Sequence, residues 1–147
     1  MGNALSEEVK DLVERPNFAH LATIMPDGSP HSAPVWVGSE GDLLFVCTEA
    51  ASLKGKNTRR DPRISLSIVG FVDPYTEVRI RGRVVEQRPD PQLNCYDAMS
   101  FKYIGRPWPY RDEKEPIVLV IEVTKARYSK QPFEHTPPST GLMEPKQ

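Results

Sequence analysis

The sequence lacks the long apolar runs and the charge excess that would tie it to a membrane or to nucleic acid. No run approaches the length that crosses a bilayer, and Glu7, Glu8 and Asp11 stand where a signal peptide would be apolar. Its 19 Lys and Arg offset 20 Asp and Glu, which leaves a formal charge of -1. We therefore expect a cytoplasmic protein that binds neither a membrane nor nucleic acid, and any anion-binding site must be local.

Cysteine is equally scarce. Cys47 and Cys95 stand far apart in the sequence, form no Cys-x-x-Cys pair and have no neighbouring His at metal-ligand spacing. We predict reduced thiols and no metal site. The sequence also has no Gly-x-Gly-x-x-Gly motif, which argues against a dinucleotide-binding parallel sheet.

What is present is a series of short strands joined mostly by tight turns, in a chain of 147 residues that suits one domain. Three helices are predicted, at residues 6–15, within 49–60 and at about 91–104. The predicted strands are residues 18–25, 31–37, 43–48, 63–69, 77–86 and 117–128, the first three forming a meander. This order favours a mainly β fold, an antiparallel barrel of six strands with two or three accessory helices. We assign residues 1–130 to this domain and residues 131–147 to a proline-rich C-terminal tail.

Three arginines alternate with apolar residues in the predicted strand 77–86. Small barrels that carry cations on one strand can bind single-stranded nucleic acid, but the near-neutral charge and the few neighbouring aromatics oppose that function here. Arg79, Arg81 and Arg83 are better explained as the solvent-facing or dimer-facing side of the strand. Gly82 between them is predicted to ease the curvature of the barrel.

One polar segment carries the strongest functional signal. Residues 52–60 gather a hydroxyl, an amide, a glycine and four cations where a helix is predicted to begin. Lysine charge, the hydroxyls of Ser52 and Thr48 and the N–H groups of a first helical turn would together suit a phosphate. The alternative is a solvated basic helix whose arginines pair with acids such as Asp61.

The order of these motifs resembles the pyridoxamine 5'-phosphate oxidase-like family. An opening strand-turn-strand at residues 21–31 is followed by residues 32–36 and then by the pattern Ser-x-Lys-x-x-Asn-x-x-Arg-Asp-Pro. That pattern spans residues 52–62. The resemblance covers about residues 9–128, and it implies a split antiparallel barrel that forms a homodimer and binds FMN or the deazaflavin F420 at the subunit interface.

The resemblance also implies roles for individual residues. Lys54 matches the family lysine on the cofactor phosphate, Ser52 stands where a phosphate-binding residue is usual, and Lys56 and Asn57 follow it. The backbone of a second segment would read the polar edge of the cofactor ring; it comprises Ser32, Ala33, Pro34 and Val35. Trp36 would flank the ring or pack inside the barrel.

A proline-stiffened aromatic loop follows the predicted helix 91–104. Similar loops in the F420-using branch close the cleft near substrate, which makes Arg106, Trp108 and Tyr110 candidates for the substrate cleft. The same composition would equally suit a loop buried against a partner subunit.

The short chain and the pattern at residues 54–62 look like the F420-dependent branch. We therefore predict an F420H2-dependent reductase of a small conjugated molecule, with an FMN-binding oxidoreductase or a non-catalytic cofactor carrier as the alternatives. The redox chemistry would reside in the cofactor, so no catalytic side chain is required. His20 and His31 are assigned structural roles, and the catalytic residue is left unassigned.

Overall fold

The structure, a computed structural model, describes residues 4–136. Its helices are α1 (Glu7–Glu14), α2 (Leu53–Arg60) and α3 (Asn94–Ile104). Its strands are β1 (Ala19–Ile24), β2 (Pro30–Val35), β3 (Gly38–Glu40), β4 (Leu43–Glu49), β5 (Arg63–Val69), β6 (Thr76–Pro89) and β7 (Pro116–Lys130). In this part of the chain no helix is long and apolar enough to cross a membrane.

The strands form one antiparallel sheet in the order β2-β1-β5-β6-β7-β4-β3. This confirms the mainly β split-barrel prediction, although the described sheet has seven strands and not six. The additional strand is β3, which falls where the sequence predicts only a turn. It pairs Gly38 with Phe45 and Glu40 with Leu43.

The predicted three-stranded meander is wrong. The β1–β2 hairpin forms as predicted, with Gly28 in the turn at φ 86°, but β4 pairs with β3 and β7 and not with β2. The physical reason is the composition of β4, whose Leu44, Phe45 and Val46 are all buried. A strand that is apolar on both faces needs cover on both, and β4 obtains it from the barrel interior and from α3.

Two apolar clusters stabilise the fold. The larger cluster fills the barrel with side chains such as Leu21, Leu66, Ile80 and Ile121, and it includes the buried face of α1. The smaller cluster lies on the outer face of β4 and β7 under α3. Its buried members are Phe45, Met99, Val118 and Val120, and Trp36, Leu43, Cys47 and Cys95 pack against them.

The arginine strand is confirmed as predicted, because Arg79, Arg81 and Arg83 are exposed on β6 while the residues between them are buried. The pairing of β6 with β7 shifts register between Arg81 and Gly82. A Cβ at Gly82 would collide with the carbonyl oxygen of Glu122, so the close approach of the two strands requires glycine here.

The observed ends of β4, α2 and α3 differ by a few residues from the ends predicted from the sequence. Residue 49 belongs to β4, and α2 occupies the later part of the segment 49–60 within which a helix was predicted. Helix α3 begins only after Leu93, which adopts a left-handed φ of 60°. The described part of the predicted tail, residues 131–136, runs beside Tyr75. The Gln131 N–H donates to the Tyr75 carbonyl at 2.9 Å, and the Phe133 ring lies 5.3 Å from the Tyr75 ring. The rest of that tail lies outside the described residues.

Candidate functional site

A cavity of about 330 Å³ opens between the end of β2, the start of α2 and the face of α3. We call it the Lys54 cavity. Its lining residues are Phe18, Pro34, Val35, Trp36, Cys47, Lys54, Tyr96, Met99 and Trp108. A volume of this size, mostly apolar walls and one convergent charge are the usual attributes of a small-molecule site.

Lys54 supplies the charge of this cavity. It is the second residue of α2, its side chain is half-buried, and burial lowers its pKa below the ordinary value. Within residues 4–136 its ammonium group has no ion-pair or hydrogen-bond partner. A half-buried cation without a counterion favours binding of an anion, which would restore the solvation that the ammonium group has lost.

Ser52 is the N-cap of α2. Its Oγ accepts the Gly55 N–H at 3.1 Å and the hydroxyl of buried Thr48 at 2.8 Å. These two residues therefore set the start of the helix beside Lys54. Neither of them lines the Lys54 cavity.

We expect Ser52→Ala to lower the free energy of unfolding by about 1 kcal/mol, because the capping acceptor of α2 is lost. Ser52→Thr keeps an oxygen acceptor and is the matched control, expected to lose much less. Urea unfolding followed by circular dichroism measures both. Equal stability of wild type and Ser52→Ala would show that the cap contributes nothing.

Asn57 braces α2 against β1. The side chain is 1 % exposed, and its Nδ2 donates to Thr23 Oγ1 at 3.0 Å while its Oδ1 accepts from Arg60 at 3.1 Å. Arg60 also donates to the Ile24 carbonyl. The structure thus places the Asn57 amide in a buried network, away from the Lys54 cavity, whereas Lys56 is exposed on the outside of α2.

The solvated-helix alternative expects the arginines of α2 to pair with Asp61, but within residues 4–136 neither of them forms an ion pair with it. Asp61 instead pairs with Arg63 at 2.7 Å, and this interaction lowers the Asp61 pKa to about 2. Arg59 donates to the Ala50 carbonyl at 3.3 Å and to Gln87 at 3.2 Å. These contacts attach α2 to the neighbouring strands and hold Lys54 in place.

The second predicted segment, Ser32 to Val35, lies on β2. This strand is at the edge of the sheet, so only one side of its backbone pairs with β1. Pro34 and Val35 line the Lys54 cavity, whereas Ser32 and Ala33 lie further along the strand, outside the lining set. The placement fits a backbone that remains available to a ligand.

Trp36 packs against the core cluster under α3 and is not among the residues of the larger cluster that fills the barrel. Its ring stacks on Tyr103 with centroids 4.9 Å apart and meets Trp108 edge-on at 5.6 Å. It is half-buried and packs with the cluster under α3. Trp36 and Trp108 thereby form an aromatic wall of the Lys54 cavity.

The loop after α3 is attached at several points. The Trp108 N–H donates to Asp97 at 3.0 Å and its indole Nε1–H donates to Glu113 at 3.0 Å. The Lys114 N–H donates to Glu49 at 2.7 Å. Of the three loop residues predicted from sequence, Trp108 lines the cavity, Tyr110 packs on Trp108 from outside at 5.3 Å, and Arg106 is exposed.

Four lining residues were not predicted as part of a site: Phe18, Cys47, Tyr96 and Met99. Tyr96 and Met99 share one face of α3, and their helical spacing was visible in the sequence. Nothing in that spacing indicates which strands the face covers. Neither His20 nor His31 lines the cavity, and no group of three His, Cys, Asp or Glu side chains that could hold a metal occurs within residues 4–136.

Comparison with known proteins agrees with this architecture. The family model described as pyridoxamine 5'-phosphate oxidase matches residues 5–130. A solved structure named F420 reductase is 28% identical, with a TM-score of 0.77, covering 84% of this chain and 98% of its own. A conserved hypothetical protein from Mycobacterium tuberculosis is 26% identical, with a TM-score of 0.68, covering 92% of this chain and 94% of its own.

General stress protein 26 from Bacillus anthracis shares the fold at 19% identity and a TM-score of 0.66, over 84% of this chain and 92% of its own. No curated protein matches the sequence. The family match covers nearly all of the residues that build the barrel and the Lys54 cavity. The chain belongs to the pyridoxamine 5'-phosphate oxidase family, whose split barrel it shares.

Proposed function

We propose that the protein is an F420H2-dependent reductase of a small conjugated molecule. The observation that carries this proposal is the half-buried ammonium group of Lys54, which lies at a cavity with aromatic walls and has no partner within the described residues 4–136. The similarity to a solved F420 reductase supports the deazaflavin over other cofactors of the family.

The residues present fit such a cofactor in two respects. An anionic group on the cofactor would satisfy the charge of Lys54, which has no partner within residues 4–136. A flat, largely apolar ring suits the walls formed by Trp36, Trp108 and Met99. Lys56 is exposed one residue beyond Gly55 and is available for the carboxylates of an extended acidic tail.

When bound, the reduced cofactor supplies a hydride. The chain's own residues then have three tasks. Lys54 anchors the anionic end, the edge backbone at Pro34 and Val35 orients the ring, and the aromatic wall excludes water from the cavity. Burial raises the pKa of the Tyr96 phenol still further above neutral pH, where an ordinary tyrosine is already protonated.

Titration of the purified protein with F420 and, separately, with FMN tests the proposal. We expect F420 to bind at micromolar concentration and F420H2 to be oxidised in the presence of an enone panel faster than without protein. Binding of F420 without turnover would support a non-catalytic carrier. Binding of FMN alone, with a yellow protein after purification, would support a flavin oxidoreductase and contradict the proposal.

We further propose that the protein forms a homodimer through an apolar patch beside the Lys54 cavity. Phe71 and Val72 are 71% and 84% exposed. The Phe71 ring meets the ring of Phe18, which lines the cavity, edge-on with the two ring centroids 6.2 Å apart. Contiguous exposed apolar side chains of this kind are typical of interaction surfaces. The partner subunit would then cover one side of the cavity.

Phe71→Asp is expected to raise the dimer dissociation constant by tenfold or more, because a charge would be buried at the interface, at a cost of at least about 1.4 kcal/mol. Sedimentation equilibrium measures the change, and circular dichroism confirms that the variant is folded. A wild-type protein that sediments as a monomer, or a variant that dimerises as tightly as wild type, would contradict the proposed interface.

A further inference from the structure

The side chain of Tyr96 is buried in the wall of the Lys54 cavity, and its hydroxyl has no protein partner. Tyr96 belongs to α3, is 8% exposed and lines the cavity. Its backbone N–H donates to the Asp90 carboxylate at 3.2 Å, but within residues 4–136 its hydroxyl makes no hydrogen bond. Burial of a hydroxyl without a hydrogen bond costs free energy, which a ligand with an acceptor atom would recover.

The Tyr96 hydroxyl is open to the cavity. Within the described part of the chain, the side-chain polar atoms that are fully enclosed and have no partner are His31 Nδ1 and Ser100 Oγ. The Tyr96 oxygen is not one of them, so it keeps some accessible surface. The Tyr96 ring packs on Trp108, another lining residue, with the two ring centroids 5.5 Å apart. A ligand in the cavity can therefore reach the hydroxyl.

The other nitrogen-containing side chains of the cavity wall are hydrogen-bond donors as well. Lys54 presents an ammonium group, and Trp36 and Trp108 each present an indole N–H. The Trp108 N–H donates to Glu113 at 3.0 Å, whereas the donors of Lys54 and Trp36 have no partner within residues 4–136. None of the described residues that line the cavity is a carboxylate or a carboxamide. Such a wall is complementary to a ligand whose polar atoms are acceptors.

The surroundings of Tyr96 keep the proton on its hydroxyl. Burial raises the pKa of Tyr96, and nearby carboxylates such as those of Glu113 and Glu49 act in the same direction. The hydroxyl therefore suits the donation of a hydrogen bond to negative charge that develops on a ligand oxygen, without itself being deprotonated.

We propose that Tyr96 is a catalytic residue whose hydroxyl donates a hydrogen bond to the carbonyl oxygen of the substrate, an α,β-unsaturated carbonyl compound. This inference rests on the reductase function proposed above, and it names the substrate class. An enone has the conjugation that accepts a hydride and an acceptor oxygen that matches the unpartnered donor.

The electrons of the proposed step balance. The hydride and its electron pair form a C–H bond at the β carbon of the substrate, and the π electrons of the C=C bond shift toward the carbonyl carbon. The π electrons of the carbonyl group move onto its oxygen, where the Tyr96 O–H stabilises the negative charge. After release, the α carbon takes a proton from water and the carbonyl group forms again. The substrate gains two electrons, which the reduced deazaflavin loses.

Binding of an oxyanion tests the hydroxyl without turnover. The probe is 4-nitrophenolate, a planar anion whose visible absorption reports its binding to the cofactor-free protein. We expect Tyr96→Phe to raise its dissociation constant roughly 10-fold or more, because a hydrogen bond to a charged oxygen is lost. Tyr128→Phe, at a tyrosine of β7 that does not line the cavity, is the matched control and should bind the probe as wild type does. Equal affinity of Tyr96→Phe and wild type, or no binding to wild type, would overturn the proposal.

Stability distinguishes a ligand-binding hydroxyl from a structural one. Tyr96→Phe should unfold at the same urea concentration as wild type or a higher one, since no hydrogen bond within the described protein is lost. Circular dichroism measures the midpoint. A midpoint clearly below that of wild type would show that the hydroxyl supports the fold, against the proposal.

Turnover separates the role of Tyr96 from the reductase function on which it rests. With F420H2 and cyclohex-2-enone, we expect Tyr96→Phe to lower kcat about 100-fold or more, the usual effect of removing an oxyanion donor. The KM for the enone should change much less, and the affinity for F420 should not change. Equal kcat values in an active wild type and Tyr96→Phe would refute the role of Tyr96 and leave the reductase function intact. A wild type without turnover, whose binding of 4-nitrophenolate still depends on Tyr96, would refute the reductase function and support the Tyr96 donor.

Discussion

Replacement of Lys54 by alanine is expected to weaken F420 binding by about 1.5–3 kcal/mol, the range for a hydrogen bond to a charged group. That loss corresponds to a roughly 10- to 150-fold increase in the dissociation constant. We expect this loss because Lys54 is the charged residue among those lining the cavity and has no competing partner within residues 4–136. Fluorescence titration with F420 measures the change.

Two variants accompany Lys54→Ala. Lys54→Arg keeps the charge and should retain most of the affinity, while Lys10→Ala removes a lysine of α1 that lies near Asp42, away from the cavity, and should change nothing. High salt should weaken binding to wild type more than to Lys54→Ala. An unchanged dissociation constant for Lys54→Ala would show that this lysine does not hold the anionic end of the cofactor.

Gly55→Ala is expected to destabilise the fold and to weaken cofactor binding in the same variant. A Cβ at Gly55 would lie 2.7 Å from the Ala50 carbonyl oxygen and 2.8 Å from that of Glu49. Because both atoms belong to the backbone, the start of α2 must shift and carry Lys54 with it. Overpacking costs about 1–3 kcal/mol, and because both clashing atoms are backbone oxygens we expect a cost in the upper half of that range, above the gain of roughly 1 kcal/mol in helix propensity.

Urea unfolding and F420 titration of Gly55→Ala measure both effects. Lys56→Ala, at an exposed position of the same helix, is the control for stability and should leave the free energy of unfolding within about 0.5 kcal/mol of wild type. Increased stability of Gly55→Ala would mean that α2 has room beside β4 and would contradict the close approach of Gly55 to the Ala50 carbonyl oxygen.

Much of the fold was predictable because local patterns determine it. Ser6 and Pro16 bound α1 as expected, and alternation of buried and exposed residues located β5 and β6. The pairing of β4 was not predictable, since it depends on which distant elements cover its two apolar faces. The strand β3 was missed because three residues at positions 38–40 give too short a pattern to distinguish from a turn.

The site was predictable only in part for a similar reason. Lys54, Pro34, Val35, Trp36 and Trp108 were identified and line the cavity, and this rested on family resemblance more than on composition. Ser52 and Asn57 belong to the same motif, but the Ser52 side chain caps α2 and the Asn57 side chain connects α2 to β1 by a hydrogen bond. A motif records which residues occur together, not whether each one faces a ligand or supports its neighbour.

Cys47 and Cys95 show the same limit. Their separation in sequence predicts two unrelated thiols, whereas both side chains pack against the same buried cluster under α3. Tyr96 and Met99 reach the cavity through that same packing. Which side chains of α3 line the cavity therefore depends on the packing of the helix on the sheet, and no local sequence pattern determines that packing.

A structure of the protein with F420 bound tests the central claim most directly. We predict that the cofactor occupies the Lys54 cavity, with an anionic oxygen within about 2.7–3.2 Å of Lys54 Nζ and the ring against Pro34, Val35 and Trp36. A cofactor bound elsewhere, or bound with Lys54 facing away from every anionic group, would contradict the account.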